Sequence, residues 1–164
     1  LTQQQSDEAP EALLKLSEVL RYMLRESDDP YVPLASEIAY LNNVIDLQKI
    51  GQKGNSYINF KLAGKIDQQK IAPLILINFI ENAFKHGVFK NSATPIQILI
   101  TVNQQAFHLQ LRNQVNIAKK DHTGGIGLVN VQRRLALIYP NRHQLLIEQQ
   151  TDTFMVDLKI ELYD

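Results

Sequence analysis

Residues Asn78 to Gly87 place amides, a lysine and a histidine in a stretch that otherwise reads as a buried helix. With roughly 100° between successive helical residues, Asn78, Asn82 and Lys85 project within an arc of about 60°. Leu76, Phe79, Ile80, Ala83 and Phe84 cover the opposite side. Amide oxygens one turn apart suit a hard cation such as Mg²⁺, which takes oxygen ligands. A lysine one turn further on suits the phosphates such an ion accompanies. A second cluster, Gly124-Gly125-Ile126-Gly127-Leu128, leads from a polar stretch into a helical pattern. Glycines let a ligand approach the backbone, and a helix start offers free N–H groups to an anion. A helix end contributes only about 0.3–1 kcal/mol by itself, so the weight lies in the order of the two clusters. Together they point to a nucleotide site.

The elements that must position these residues follow from periodicity. Pro10 opens a helical pattern with Leu13, Leu16, Leu20 and Leu24 on one stripe and Met23 beside it, broken by Ser27-Asp28-Asp29-Pro30. Pro33 starts a second helix, striped by Leu34, Ile38, Leu41 and Ile45 and ending near Gly51. Neither helix has a core of its own, so each must pack on a partner chain or on the rest of this one. After a turn-rich junction over 51–56 the period changes to two. Ile58, Phe60 and Leu62 alternate as on a strand, then Ile96, Ile98, Ile100 and Val102, and back through Phe107, Leu109 and Leu111 as a hairpin. Residues 114–123 read as a polar loop. Gly125 to about Tyr139 is a helix with Leu128, Val131, Leu135 and Ile138 on its apolar face, closed by Pro140. Strands around 145–147 and 156–162 finish the chain. The expected fold is α+β, a two-layer sandwich: a mixed, mostly antiparallel sheet with helices on one face, preceded by one or two helices.

Seventeen basic and seventeen acidic residues give a formal net charge of zero, so there is no electrostatic footprint for nucleic acid or an anionic membrane. The absence of cysteine excludes disulfides and thiolate metal sites. The longest apolar run, 71–80, is interrupted by Pro73 and Asn78 and falls far below the ~18 residues that span a bilayer. Leu1-Thr2-Gln3 opens the sequence without methionine, as in a piece of a longer chain whose membrane segments would lie elsewhere.

The order of the two clusters resembles the catalytic ATP-binding domain of sensor histidine kinases, the Bergerat fold shared with type II topoisomerases and MutL proteins, and most of all the LytS-type kinases. Pro73 through Gly87 resembles that family's N-box, and Gly124 through Tyr139 its second glycine box and following helix. Leu16 to Leu24 resembles the second helix of the dimerisation and phosphotransfer region, and Leu34 to Lys49 the linker helix after it. The resemblance implies two parts: residues 1–52, a remnant of those helices, and 53–164, the catalytic domain binding ATP and Mg²⁺. It implies Asn82 as the Mg²⁺ ligand with Asn78 assisting, and Lys85 on the phosphates. His86 would lie near the ribose or adenine, and Gly125, Gly127 and Leu128 against the phosphates. Asn82, Lys85 and Glu81 would be the catalytic group, Glu81 being more at home in helix-surface hydrogen bonding. A homodimer, a response regulator and a bacterial inner-membrane protein carrying this part in the cytoplasm are also implied.

Two departures bear on function. Where the family's first glycine box usually carries an adenine-binding Asp followed by glycines, this sequence has Arg112-Asn113-Gln114-Val115. Asn113 offers a neutral amide oxygen instead. Hydrolytic members of the wider superfamily place a Glu four residues before the N-box Asn to activate water, and here that position is Asn78, which favours transfer to a protein acceptor. The family's phosphoacceptor histidine would lie upstream of residue 1; His86, His108, His122 and His143 do not match it. Arg133 and Arg134 are expected at the surface. The competing reading is a degenerate domain that has lost ATP binding and serves as a dimerisation and partner-docking module.

Overall fold

The structure, a computed structural model, describes residues 4–25, 28–53, 55–115 and 125–162. In chain order these form α1 (Gln4–Arg25), β1 (Val32–Pro33), α2 (Leu34–Gly51), β2 (Ile58–Gly64), β3 (Lys70–Ile71), α3 (Leu76–His86), β4 (Gly87–Val88), β5 (Ile96–Val102), β6 (Ala106–Val115), α4 (Ile126–Ile138), β7 (His143–Gln149) and β8 (Thr153–Glu161). The main sheet runs β2-β5-β6-β8-β7, with β4 added at the end of β6. β2 and β5 are parallel, Ile58 facing Ile96, and every other pair in this sheet is antiparallel. A parallel pair needs a crossover, and here the crossover carries α3, which sets the Asn/Lys helix on the covered face of the sheet. The result is the expected α+β sandwich.

Alternation decides which side is covered. Ile96, Ile98 and Ile100 of β5, Phe107, Leu109 and Leu111 of β6, and Val156, Leu158 and Ile160 of β8 are all buried. They share one core with Leu76, Phe79, Ile80 and Ala83 of α3 and Val131 and Leu135 of α4. Each such aliphatic side chain contributes roughly 1.5–3 kcal/mol on burial. Leu34, Ile38, Leu41 and Ile45 of α2 belong to the same core, so α2 packs on this chain.

The first helix differs from expectation twice. It begins at Gln4, and Pro10 lies inside it, giving up one backbone bond without ending the helix. Its leucine stripe also faces away from the domain: Leu13 is 65% and Leu24 78% exposed. Residues spaced by four and three supply the contact to α2 instead. Lys15 reaches Asp46 at 2.8 Å, Val19 is buried, and the Tyr22 ring stacks on Tyr40 with centroids 4.6 Å apart.

Three short strands had no periodic signal because two residues cannot show one. β1 pairs with β3, Val32 facing Ile71, and β4 pairs with the end of β6, Gly87 facing Val115. That last pairing, together with the Val115 amide on the Asp152 carbonyl at 2.8 Å, keeps 114–115 in a strand rather than in the expected loop. The rest of that loop, with His122 and Gly124, lies outside the described residues.

Candidate functional site

The helix carrying the asparagines starts from an unusual bend. Leu74 has φ of 58°, a left-handed conformation that a residue with a Cβ adopts at a cost of about 1–2 kcal/mol. Polar groups from the surrounding helices hold it there. The Leu74 amide donates to Glu37 Oε2 at 3.2 Å. Arg134 of α4 donates to the Pro73 carbonyl at 2.9 Å and the Leu74 carbonyl at 3.2 Å. Asn78 turns its amino group back onto the Leu74 carbonyl at 2.9 Å, and the Ala72 amide donates to the Tyr139 hydroxyl at 2.8 Å.

Because the Asn78 nitrogen is engaged backwards, its oxygen points forward. A Cβ built on Gly127 would lie 3.9 Å from Asn78 Oδ1. The asparagine stripe of α3 and the glycine cluster at the start of α4, far apart in sequence, therefore face each other. Gly125 is the N-cap of α4 with no side-chain cap, and Leu128, half-buried, donates its amide to the Gly125 carbonyl at 2.9 Å. A helix start without a side-chain cap keeps N–H groups available to an anion.

Asn113 lies at the other end of α3. It is 2% exposed on β6 beside the end of α3, where a Cβ on Gly87 would come within 3.1 Å of its Nδ2. Nδ2 donates to the Gln114 carbonyl at 3.2 Å, while Oδ1 is buried with no partner among the described residues. A buried acceptor without a donor opposes folding by about 1–3 kcal/mol, an expense a ligand amino group would remove.

The other expected residues are placed as follows. Asn82 and His86 are half-buried and Lys85 is exposed, and none of the three makes a side-chain hydrogen bond or ion pair with a described residue. Glu81 is exposed; burial first, then the charges of Glu81 and Glu37, push the Tyr40 hydroxyl up to about 12. Among the described residues no three His, Cys, Asp or Glu side chains cluster as a metal cage, so an ion here would rest on amide oxygens and on the oxygens its own ligand brings. His108 pairs with Asp157 at 2.9 Å and His143 meets the Tyr139 carbonyl at 2.8 Å. A depression of about 460 Å³ on the open sheet face, lined by Lys61, Leu99, Arg112, Leu146 and Met155 among others, shares no residue with the asparagine and glycine clusters.

Sequence reasoning missed Glu37, which is fully buried and accepts from the Tyr22 hydroxyl of α1 as well as from Leu74. Burial raises its carboxyl above the usual carboxylate range, while Tyr22, the Leu74 and Leu76 amides and the Arg134 charge pull the other way. A signal was present: Glu37 follows Leu34 by three and precedes Leu41 by four, on the apolar stripe itself. Arg134, expected at the surface, is instead half-buried against the bend.

Comparison with known proteins finds relatives by sequence and by fold. The sequence model of the family described as "Histidine kinase" matches residues 1–55. The chain is 23% identical over 152 residues to sensor histidine kinase BtsS of Escherichia coli K12, covering 91% of this chain and 27% of that protein. It is 24% identical over 159 residues to sensor histidine kinase/phosphatase LytS of Staphylococcus aureus Mu50, covering 87% and 27%. The chain thus spans about a quarter of the length of these relatives. Histidine kinase AdeS of Acinetobacter baumannii shares the fold with a TM-score of 0.55 at 16% identity, over 96% of this chain and 79% of that one. The catalytic domain of histidine kinase ThkA gives 0.52 at 13%, over 80% and 94%. ThkA in complex with the response regulator protein TrrA gives 0.51 at 13%, over 93% and 48%.

Proposed function

We propose, for a chain whose relatives are sensor histidine kinases of the LytS and BtsS kind, that it binds Mg-ATP and presents the γ-phosphate to a histidine upstream of residue 1. The observation that carries this reading is the buried Asn113 oxygen without a donor. An adenine amino group would satisfy it, and its amino group, held on Gln114, leaves the oxygen as the end that meets the base. Asn82 and Asn78 would hold Mg²⁺ through their amide oxygens, Lys85 would meet the phosphates, and His86 would lie near the ribose or base. Gly125, Gly127 and Leu128 would line the phosphates at the start of α4. When bound, the ion would supply neutralisation of the charge that builds on the transferring phosphoryl oxygens. The residues' own work is positioning and electrostatic support. Asn78 is neutral and its nitrogen donates to Leu74, so it takes no proton from water, which supports transfer to a protein acceptor.

The two parts then divide the work. Residues 53–164 form the ATP-binding domain, and residues 1–52 supply the dimerisation side, with α2 fixed into the sheet's core as the bridge between them. The outward Leu13, Leu16, Leu20 and Leu24 of α1 suit the homodimer. A response regulator is the expected acceptor from the phosphohistidine, and the full protein is a bacterial inner-membrane sensor with this part in the cytoplasm. No described helix is long and apolar enough to cross a membrane.

The test is calorimetric titration of the chain with a non-hydrolysable ATP analogue, with and without Mg²⁺, beside Asn82→Ala. Mg²⁺-dependent binding in the micromolar to low-millimolar range, lost in the variant, is expected. Absence of binding at several millimolar overturns the reading in favour of a docking module without kinase activity.

A further inference from the structure

Glu37 is a carboxylate buried among apolar side chains, and its neighbours come from different elements. From α1, the Tyr22 hydroxyl donates to Oε2; from the segment entering α3, the Leu74 amide donates to the same oxygen at 3.2 Å. Arg134 of α4 holds the carbonyls of Pro73 and Leu74 from the other side. A stability role alone is a poor explanation, since a buried ionic group is commonly replaced by apolar packing without loss. Its placement is specific in another respect. The bend it stabilises, Leu74 at φ 58°, fixes where α3 starts, and Asn78 attaches to that bend through the Leu74 carbonyl. The asparagine oxygen that faces Gly127 is therefore set by the same few bonds.

We propose that Glu37 is a positioning residue that ties the docking of α1, through the Tyr22 hydroxyl, to the start of α3 and hence to the aim of Asn78 and Asn82. The inference rests on the nucleotide site proposed above and adds a route by which α1 governs it. α1 is well suited to that part. It is held to α2 along a narrow face by Lys15, Val19 and Tyr22, and its larger leucine surface is turned outward. A change in what α1 packs against would then reach the site through Glu37. Linkage requires the reverse as well: nucleotide that fixes α3 must steady the docking of α1.

Tyr22→Phe tests this with little threat to the fold, because the ring keeps its stack on Tyr40 and loses the hydroxyl alone. Two measurements are made on the 164-residue chain. Amide hydrogen exchange without nucleotide is expected to speed up about tenfold at Leu74 and through the first turn of α3. Mg-nucleotide-analogue affinity is expected to fall at least threefold. Lys15→Ala, which removes a different α1 tether without touching Glu37, is expected to leave the Leu74 amide unchanged, a contrast that mere loosening of α1 would not give. Unchanged exchange at Leu74 in Tyr22→Phe overturns the inference whatever the nucleotide does. Faster exchange with undiminished affinity also overturns it, since the link would not reach the site. If the unmodified chain binds no nucleotide, the functional reading falls, and the exchange arm still decides whether Glu37 joins α1 to α3.

Discussion

Gly127→Ala separates the two roles a glycine can have at the start of a helix. Gly127 carries no positive φ, and among the described residues an added Cβ meets nothing nearer than Asn78 Oδ1 at 3.9 Å, which is ordinary contact. The fold should therefore tolerate the methyl and gain from it. Alanine exceeds glycine by up to about 1 kcal/mol in a helix, which in a domain of this size raises the melting midpoint by roughly 2–4 °C. Binding should move the other way. The methyl stands between the first turn of α4 and the Asn78 oxygen, where a phosphate oxygen must come within about 2.9 Å of an N–H group. Losing one hydrogen bond to a charged oxygen removes about 1.5–3 kcal/mol, so affinity for the Mg-nucleotide analogue should fall tenfold or more. Thermal melting and calorimetric titration of the same preparation read both effects. Raised stability with undiminished affinity would refute the placement of phosphates against this turn, and lowered stability would refute the local geometry.

Gly64→Ala should behave in the opposite manner: φ is 95° and the added Cβ would sit 1.8 Å from the Val102 carbonyl oxygen, so a loss of about 3 kcal/mol or more is expected, and an unchanged melting curve would show that the β2 terminus is built differently. Glu37 gives a pH signature. Its folded carboxyl titrates above the ordinary value of 4.5 because burial outweighs Tyr22, Leu74, Leu76 and Arg134, so its contribution is full below the unfolded value and is lost as pH rises through the folded one. Tyr40 and Tyr139 are pushed up to about 12 and Arg134 stays charged, so these three neighbours do not titrate in that window. The stability of the unmodified chain relative to Glu37→Gln should therefore fall between acid and neutral pH; a difference that stays flat, measured by melting across that range, would count against the burial argument.

What the sequence made legible follows from which signals are periodic. The alternation in β5 and β6 and the stripe of α4 are repeated several times within one element, and each element formed where its pattern stood. α3 was legible for a different reason: Asn78, Asn82 and Lys85 interrupt an apolar helix at one turn's spacing, and polar residues kept on a single stripe need a cause. Pairings of two residues, as in β1 with β3 and β4 with β6, carry no pattern and depend on what the flanking elements bring together. The leucine stripe of α1 was expected to pack on a partner chain or on the rest of this one, and it faces away from this domain, because spacing cannot say which of two apolar faces is used on this chain. A charged side chain such as Glu37 ordinarily favours the surface, although its spacing from Leu34 and Leu41 puts it inside. The bend from which Asn78 approaches Gly127 was beyond sequence, because a leucine announces a left-handed conformation nowhere in its neighbours.

The chemistry proposed for the site turns on its being built from amides. In the proposed function Asn78, Asn82 and Asn113 would stand nearest the ion and base, and among the described residues no carboxylate stands with them; Glu81 is exposed beside them and Glu37 is buried behind the bend. An amide oxygen accepts and coordinates but does not take a proton at neutral pH. Such a site can orient a nucleotide and an ion, yet none of its three amides can strip a proton from water, so the bound γ-phosphate would wait for a nucleophile brought from outside. In the proposed function, general-base help, if the acceptor needs it, would arrive with the helix that carries the acceptor. The rate of phosphoryl transfer would then come under the control of how the helices before residue 53 meet this domain, and Tyr22 on Glu37 is a polar contact through which α1 reaches the bend at Leu74.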